Sequence, residues 1–184
     1  MKIFAKFLAI LIFIAYGSAQ AGLLLEPFVG YVSGSQKQTT TANFTGTIYG
    51  ARAGFSFLRF AVGADYTGGN FTDDSTPKFT LTSGDVGGFV SYKFPILFRI
   101  YGAYVPSAKL KGSSSISSFT LQKATAMKLG LGYTGLPFVN INIEYLSSSY
   151  EEIVSSGITT PLSPKSTSTA YGVTLSAPYD FFSK

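Results

Sequence analysis

Residues 139–145 read VNINIEY, in which apolar Val, Ile and Tyr alternate with polar Asn and Glu. Because successive side chains of a β-strand point to opposite faces, this alternation predicts a strand with one apolar and one polar face. The same period of two recurs at residues 49–55, YGARAGF, where Arg52 takes a polar position. Strand-forming Val, Tyr, Phe and Thr are frequent, and no segment after Gly22 shows helical periodicity. The sequence therefore predicts an all-β chain.

Eight runs of this kind predict eight strands, at residues 23–32, 45–57, 59–67, 80–94, 97–106, 119–134, 138–147 and 167–177. Their connections alternate between tight turns, near residues 58, 95 and 136, and long Ser/Thr/Gly-rich segments, at residues 33–44, 68–79, 107–118 and 148–166. An even number of strands of about ten residues, with short turns at one end and long loops at the other, is typical of transmembrane barrels. We therefore predict an eight-stranded antiparallel up-and-down transmembrane β-barrel.

The tight turns also predict three opposed pairs: Arg52 with Asp65, Lys128 with Glu144, and Lys93 with Arg99. A slip of one residue would exchange the two faces of a strand. It would place Arg52 or Lys128 in hydrocarbon, at a cost of about 2–4 kcal/mol each near the midplane. The charged face is thus predicted to point inward and the apolar face to meet lipid.

The interior of an eight-stranded barrel is just wide enough for side chains to fill it. The inward positions predict a lumen charge network of Glu26, Arg52, Asp65, Asp85, Lys93, Arg99, Lys128 and Glu144. The favoured interpretation is a filled lumen that supports the barrel. The alternative is a narrow conduit in which these charges select small solutes.

Residues 1–21 have the features of a cleaved signal peptide. Lys2 and Lys6 form a basic start, an apolar run follows from Phe7 to Tyr16, and residues 19–21 read AQA. The run is about ten residues long, whereas a spanning helix needs roughly 20. We predict residues 1–21 to be the signal peptide and 22–184 the barrel domain. Removing the two lysines leaves 12 basic against 9 acidic residues, a net charge of +3 that does not indicate a nucleic-acid partner.

Several segments resemble the small eight-stranded outer-membrane proteins, the group of the OmpA membrane domain, OmpX and OmpW-like proteins. They are LEPFVGY (25–31), YGARAGF (49–55), GYTGLPF (132–138) and NINIEY (140–145). The resemblance implies a location in the outer membrane, contact with its lipids and with the assembly machinery, and a structural or surface-interaction role with four extracellular loops. The solute channel is the OmpW-like alternative, and we expect a monomer. The chain departs from the group in having no Trp and in ending on Lys184 rather than on an aromatic residue.

Composition argues against catalysis. The chain has no His and no Cys, which excludes Ser-His and Cys-His nucleophile pairs and most metal sites. The remaining candidates are the carboxylate pairs Asp73-Asp74 and Glu151-Glu152, and the serines 113–115 near Lys111. All lie in polar segments where their pKa values would stay ordinary, so we expect no enzyme activity and no cofactor.

Lys109, Lys111 and Lys123 cluster near the outer ends of the fifth and sixth predicted strands. Lysine side chains at the membrane edge reach lipid phosphates, which predicts contact with lipopolysaccharide. A third class, a soluble periplasmic barrel of lipocalin type, would turn its apolar face inward and its charges outward. The inward glycines and the continuous outer row of Tyr and Phe argue against it.

Overall fold

The structure is a computed structural model that describes residues 21–74, 78–114 and 118–181. The predicted signal peptide lies outside the described residues except for Ala21, which begins the first strand. No helix in the described ranges is long and apolar enough to span a bilayer.

Eight antiparallel strands form one closed sheet, which confirms the predicted barrel. They are β1 (Ala21–Lys37), β2 (Thr41–Phe57), β3 (Phe60–Asp73), β4 (Thr80–Lys93), β5 (Phe98–Ser113), β6 (Ser118–Tyr133), β7 (Asn140–Ser155) and β8 (Ile158–Ser176). Each strand pairs with the next along the chain, and β1 closes the barrel by pairing with both β2 and β8. A short β9 (Tyr179–Phe181) pairs with Leu23–Leu25 of β1, so it continues the last strand after an interruption at residues 177–178.

The strands are longer than the sequence predicted, and this corrects the four long connections. At that end of the barrel, called here the far end, the connections are only residues 38–40, 74–79, 114–117 and 156–157. The prediction was wrong because a Ser/Thr/Gly-rich composition was interpreted as loop. These residues keep a period of two along most of their length, but it has the opposite sense: apolar side chains point inward and hydroxyl side chains point outward.

The other end, called here the turn end, has the connections 58–59, 94–97 and 134–139. The predicted oppositions of Arg52 with Asp65 and of Lys93 with Arg99 are confirmed. The third prediction was wrong, because Glu144 lies opposite Gly130 rather than Lys128. The last turn is centred on Pro137, one residue later than expected. Proline has no N–H to donate to the ladder, so the next strand begins only after it.

An apolar belt surrounds the half of the barrel nearer the turn end. Leu25, Val62, Ile100 and Ile143 are among its outward side chains, each 42–61 % exposed. Two aromatic girdles border it. On the far side lie Tyr31, Tyr49, Tyr66, Tyr104, Tyr145 and Tyr171, and on the turn side lie Phe57, Phe60, Tyr92, Phe98, Tyr133 and Phe181. Leu23 and Tyr31 are eight residues apart on β1, which at about 3.3 Å per residue and a tilt of roughly 40° corresponds to about 20 Å. This height suits a bilayer core, and tyrosine takes the interfacial role that tryptophan often has.

Beyond the tyrosine girdle the wall changes character. Its exposed outward residues are Ser33, Asn43, Thr47, Asn70, Thr72, Thr82, Thr125, Thr167 and Thr169. Its interior holds an apolar cluster that includes Val32, Phe44, Ile48, Leu110 and Leu121. In this far half the barrel is therefore built as in a water-soluble protein, whereas the belt half is built for lipid outside and polar side chains inside.

Candidate functional site: the charge network of the lumen

Six charged side chains meet inside the belt half of the barrel. This charge network consists of Glu26, Arg52, Asp65, Arg99, Lys128 and Glu144, contributed by β1, β2, β3, β5, β6 and β7. All six are buried, and none is more than 6 % exposed. Three carboxylates face three cations, so the formal charges cancel. Burial of charge in a barrel is tolerable only when it is paired in this way.

Arg52 is the centre of the network. Its Nε donates to Asp65 Oδ2 at 3.0 Å, one Nη donates to Glu26 Oε1 at 3.2 Å, and the other donates to Glu144 Oε1 at 3.0 Å. The guanidinium carbon also lies 4.6 Å from the centroid of the Phe28 ring and 4.1 Å from that of Tyr101. One planar cation thus holds three strands besides its own and is stacked between two aromatic rings.

Lys128 and Asp65 form the part of the network nearest the far end. The Lys128 ammonium donates to both carboxylate oxygens of Asp65, at 2.9 and 3.0 Å, and to Thr67 Oγ1 at 2.7 Å. An ammonium has three protons to donate, and these contacts account for all of them. Lys128 therefore joins β6 to β3 directly across the lumen.

Arg99 extends the network toward the turn end. It donates to both oxygens of Glu26, one of them at 2.6 Å, and to Asn142 Oδ1 at 2.8 Å and Ser176 Oγ at 3.1 Å. The amide nitrogen of Asn142 in turn donates to Thr174 Oγ1 and Ser176 Oγ, both at 3.1 Å. These contacts tie β8 to the network, so that each of the eight barrel strands except β4 contributes a polar side chain.

Tyr101 closes the remaining space. Its hydroxyl donates to Glu144 Oε1, which also accepts from Thr174 Oγ1 at 2.9 Å. A Cβ placed on Gly130 would lie 2.1 Å from the Tyr101 ring, so the ring fits only because residue 130 has no side chain. Large aromatic and small residues facing one another fill the tapering interior of a small barrel.

Two predicted members lie apart from the network. Lys93 is exposed at the turn end, opposite Arg99, because the inward row reaches solvent where β4 ends. Asp85 faces the far half, where its Oδ1 accepts from the backbone N–H of Lys109 at 2.9 Å. The alternation of polar and apolar residues predicted which face of the sheet each residue occupies, but not how far along the barrel axis it lies.

The predicted network contained charged residues only: Asn142, Thr174 and Ser176 were assigned to the inward face but not to the network, and Thr67 and Tyr101 were missed. Thr67, Tyr101, Asn142, Thr174 and Ser176 all occupy inward positions of their strands. Each of them lies an even number of residues from a charged inward residue of the same strand or from another inward polar residue, and this spacing could have identified them. Tyr101 was overlooked because an aromatic residue was expected to face lipid.

The three lysines predicted to contact lipopolysaccharide all lie exposed on the outer wall. Lys109 and Lys111 project from β5, and Lys123 projects from β6, 66 % exposed. A register shift in the β5–β6 ladder turns Lys109 outward after Val105, which points inward. The Lys123 ammonium lies 3.1 Å from Glu152, which offsets part of its charge and raises the Lys123 pKa through this hydrogen bond.

Of the carboxylate pairs considered for catalysis, Glu151 and Glu152 are separated by their partners. Glu151 accepts from the Lys165 ammonium at 2.6 Å, and this hydrogen bond lowers the Glu151 pKa. Glu152 accepts from Gln122 and Lys123 instead. The two carboxylates thus serve different ion pairs on the exposed far wall. No cluster of three or more metal-ligating side chains occurs within the described ranges.

Leu24, Ala61, Phe89 and Ala103 form a small apolar cluster inside the belt half, where Ala103 lies opposite Lys128 in the β5–β6 ladder. The apolar cluster of the far half lies above the charge network. The charge network thus has apolar side chains both beside it and above it.

Solved structures show which known proteins share the fold of this chain. The chain is similar to Neisserial surface protein A, with a TM-score of 0.59, 12 % identity, and coverage of 83 % of this chain and 96 % of that one. The chain has the fold of the small outer-membrane β-barrels. It is also similar to Ail, the attachment invasion locus protein of Yersinia pestis, with a TM-score of 0.56, 16 % identity, and coverage of 85 % and 99 %. No protein-family model and no curated protein matches the sequence.

Proposed function

We propose that this chain is an integral protein of the outer membrane whose lumen does not conduct and whose role is structural and surface-interacting. The observation that carries the proposal is the buried network around Arg52, which links seven of the eight strands across the lumen. Moving an ion past it would require breaking ion pairs in a low-dielectric interior, where an unpaired charge costs several kcal/mol.

The proposal includes an orientation. Outer-membrane barrels place short turns in the periplasm and the opposite connections outside the cell. By this rule the turn end faces the periplasm, and the far half stands above the bilayer as a hydroxyl-rich wall. Its exposed Ser, Thr, Asn and Lys side chains, rather than four long loops, are then the surface offered to partners.

Conductance of the purified protein in planar bilayers tests the sealed lumen. We expect no steady current through wild-type monomers, and a measurable current through the double variant Arg52→Ala with Tyr101→Ala, which removes the central side chains of the network. Heat-modifiable migration in SDS gels verifies that both proteins are folded barrels. A steady wild-type current would overturn the proposal and favour the alternative, a narrow channel for small solutes.

Cell fractionation tests the location independently. The apolar belt predicts that the protein is recovered only with detergent, in the outer-membrane fraction. Recovery in the soluble periplasm without detergent would contradict both the structural and the channel function.

A second proposal is contact with the phosphates of lipopolysaccharide through Lys109, Lys111 and Lys123. It is favoured by their exposure on neighbouring strands, with Lys109 five residues beyond Tyr104, about 16 Å along β5 from the tyrosine girdle. Replacing all three by Gln is expected to lower the amount of lipopolysaccharide that copurifies with the protein. The matched control replaces three other exposed lysines of the far end: Lys37, Lys78 and Lys165. Equal retention in the two triple variants would contradict this contact.

A further inference from the structure

The far half of the barrel encloses a cavity of about 80 Å³, called here the far chamber. Val32, Phe44, Ile48, Leu81 and Leu110 are among its walls, and all five are buried. Its floor includes Lys128, which the charge network holds through Asp65 and Thr67. The chamber is thus an apolar space above a sealed layer of ion pairs.

Asp85 is the one carboxylate among the described residues that line this chamber. Its Oδ1 accepts the Lys109 backbone N–H at 2.9 Å, and Oδ2 receives no hydrogen bond from the described residues. The Lys109 ammonium itself is on the outer wall, and the Lys128 ammonium is already bonded to three acceptors. Asp85 therefore has no cationic partner among the residues that the structure describes.

A carboxylate in apolar surroundings is costly unless a cation or hydrogen-bond donors compensate it. Asp85 is half-buried and is one of the residues that line the chamber. Tyr150, Phe44 and Phe71 also line the space, and aromatic rings favour a neighbouring cation. The Asp85 carboxylate and the apolar and aromatic lining together favour a ligand that has one positive charge and an apolar part.

The volume limits the size of that ligand. An engineered apolar cavity of about 150 Å³ binds benzene, which has six carbon atoms. The far chamber, at about 80 Å³, has room for roughly three to four carbon atoms by the same scale.

We propose that the far chamber is a binding site for a small primary ammonium compound with a short aliphatic chain, whose ammonium group pairs with Asp85. The ammonium donates to the free Asp85 Oδ2, and the chain lies among Phe44, Ile48 and Leu110. The site takes its ligand from the far end and does not pass it on, because the charge network closes the floor.

Titration of propylammonium into the folded barrel, followed by amide NMR, tests the site. We expect saturable shifts for residues that line the chamber, such as Ile48 and Leu110. The neutral analogue n-propanol, of nearly the same size, should bind at least tenfold more weakly because it leaves the carboxylate unpaired. Equal binding of the two compounds to the wild-type protein would overturn the proposal.

Two variants make the test specific. Asp85→Asn should weaken propylammonium binding at least tenfold and leave n-propanol unaffected, whereas Asp74→Asn, which alters an exposed carboxyl residue outside the chamber lining, should change neither. Ala126→Leu keeps the charge but fills the chamber, and should abolish the shifts. Unchanged binding to either Asp85→Asn or Ala126→Leu would place the ammonium elsewhere and refute the site.

Discussion

Arg52 and Asp65 lie directly opposite each other on β2 and β3, and their side chains are joined by a 3.0 Å hydrogen bond inside the lumen. The same guanidinium reaches Glu26 on β1 and Glu144 on β7. Asp65 in turn binds Lys128 on β6. A pair that is local in the hairpin thereby becomes the link between distant parts of the barrel.

Replacing Arg52 by Ala should destabilise the barrel by about 3–5 kcal/mol, because three buried carboxylates lose their shared cation. Urea unfolding of the protein in lipid vesicles measures this. Arg59→Ala is the control, since Arg59 is exposed at the β2–β3 turn and should change stability by less than about 0.5 kcal/mol. Similar losses for the two variants would show that the network does not hold the barrel together.

Adding a single methyl group at Gly130 should also be costly. In Gly130→Ala the new Cβ would meet the Tyr101 ring, and overpacking of this kind costs roughly 1–3 kcal/mol. Gly88→Ala is the matched change, because a Cβ there meets nothing closer than 3.8 Å. The free energy of unfolding should fall for the first variant alone, and a neutral Gly130→Ala would mean that Tyr101 does not occupy the observed position.

An arginine scan along the outer wall should locate the edge of the membrane. Val62→Arg puts a charge in the apolar belt and should cost about 2–4 kcal/mol near the midplane. Asn43→Arg puts the same charge on the hydroxyl-rich far wall and should cost less than about 1 kcal/mol. Stability in vesicles of equal lipid composition is the measurement. Equal losses of stability in the two variants would contradict the conclusion that the outer surface of the far half is in contact with water.

The far wall carries an ion pair whose effect depends on pH. Lys165 lowers the Glu151 pKa by donating a hydrogen bond to its carboxylate. A carboxyl whose folded-state pKa lies below its unfolded value stabilises the fold above that unfolded value, and the contribution disappears as pH falls through the folded-state pKa. Because both side chains are well exposed, we expect a small effect on stability.

The Glu151 pKa reports on this ion pair more directly than the stability of the protein does. In Lys165→Gln the Glu151 pKa should rise toward its ordinary value, as followed by carboxyl NMR during an acid titration. Lys111→Gln removes a lysine that does not contact Glu151 in the structure and should leave this pKa where it is. An unchanged Glu151 pKa in Lys165→Gln would show that the pair does not persist in solution.

The sequence by itself determined the class of fold and the sidedness of the belt half, because period-two alternation fixes which residues share a face. It also placed Arg52 opposite Asp65, since a two-residue turn leaves little freedom in register. Alternation likewise supplied the inward position of Asn142, although its bonds to Arg99 remained unknown.

Only the tertiary structure decided the contacts across the lumen. Closure brings β6 against β3 and β7 against β2 at particular heights, so Lys128 meets Asp65 across the lumen, while Asp85 lies in the far half, outside the charge network. It also decided that the Ser/Thr-rich segments continue as strands, because their inward apolar residues find one another only when the barrel is closed. Strand periodicity is a local property of the chain, whereas height and cross-lumen distance depend on the stagger of all eight strands.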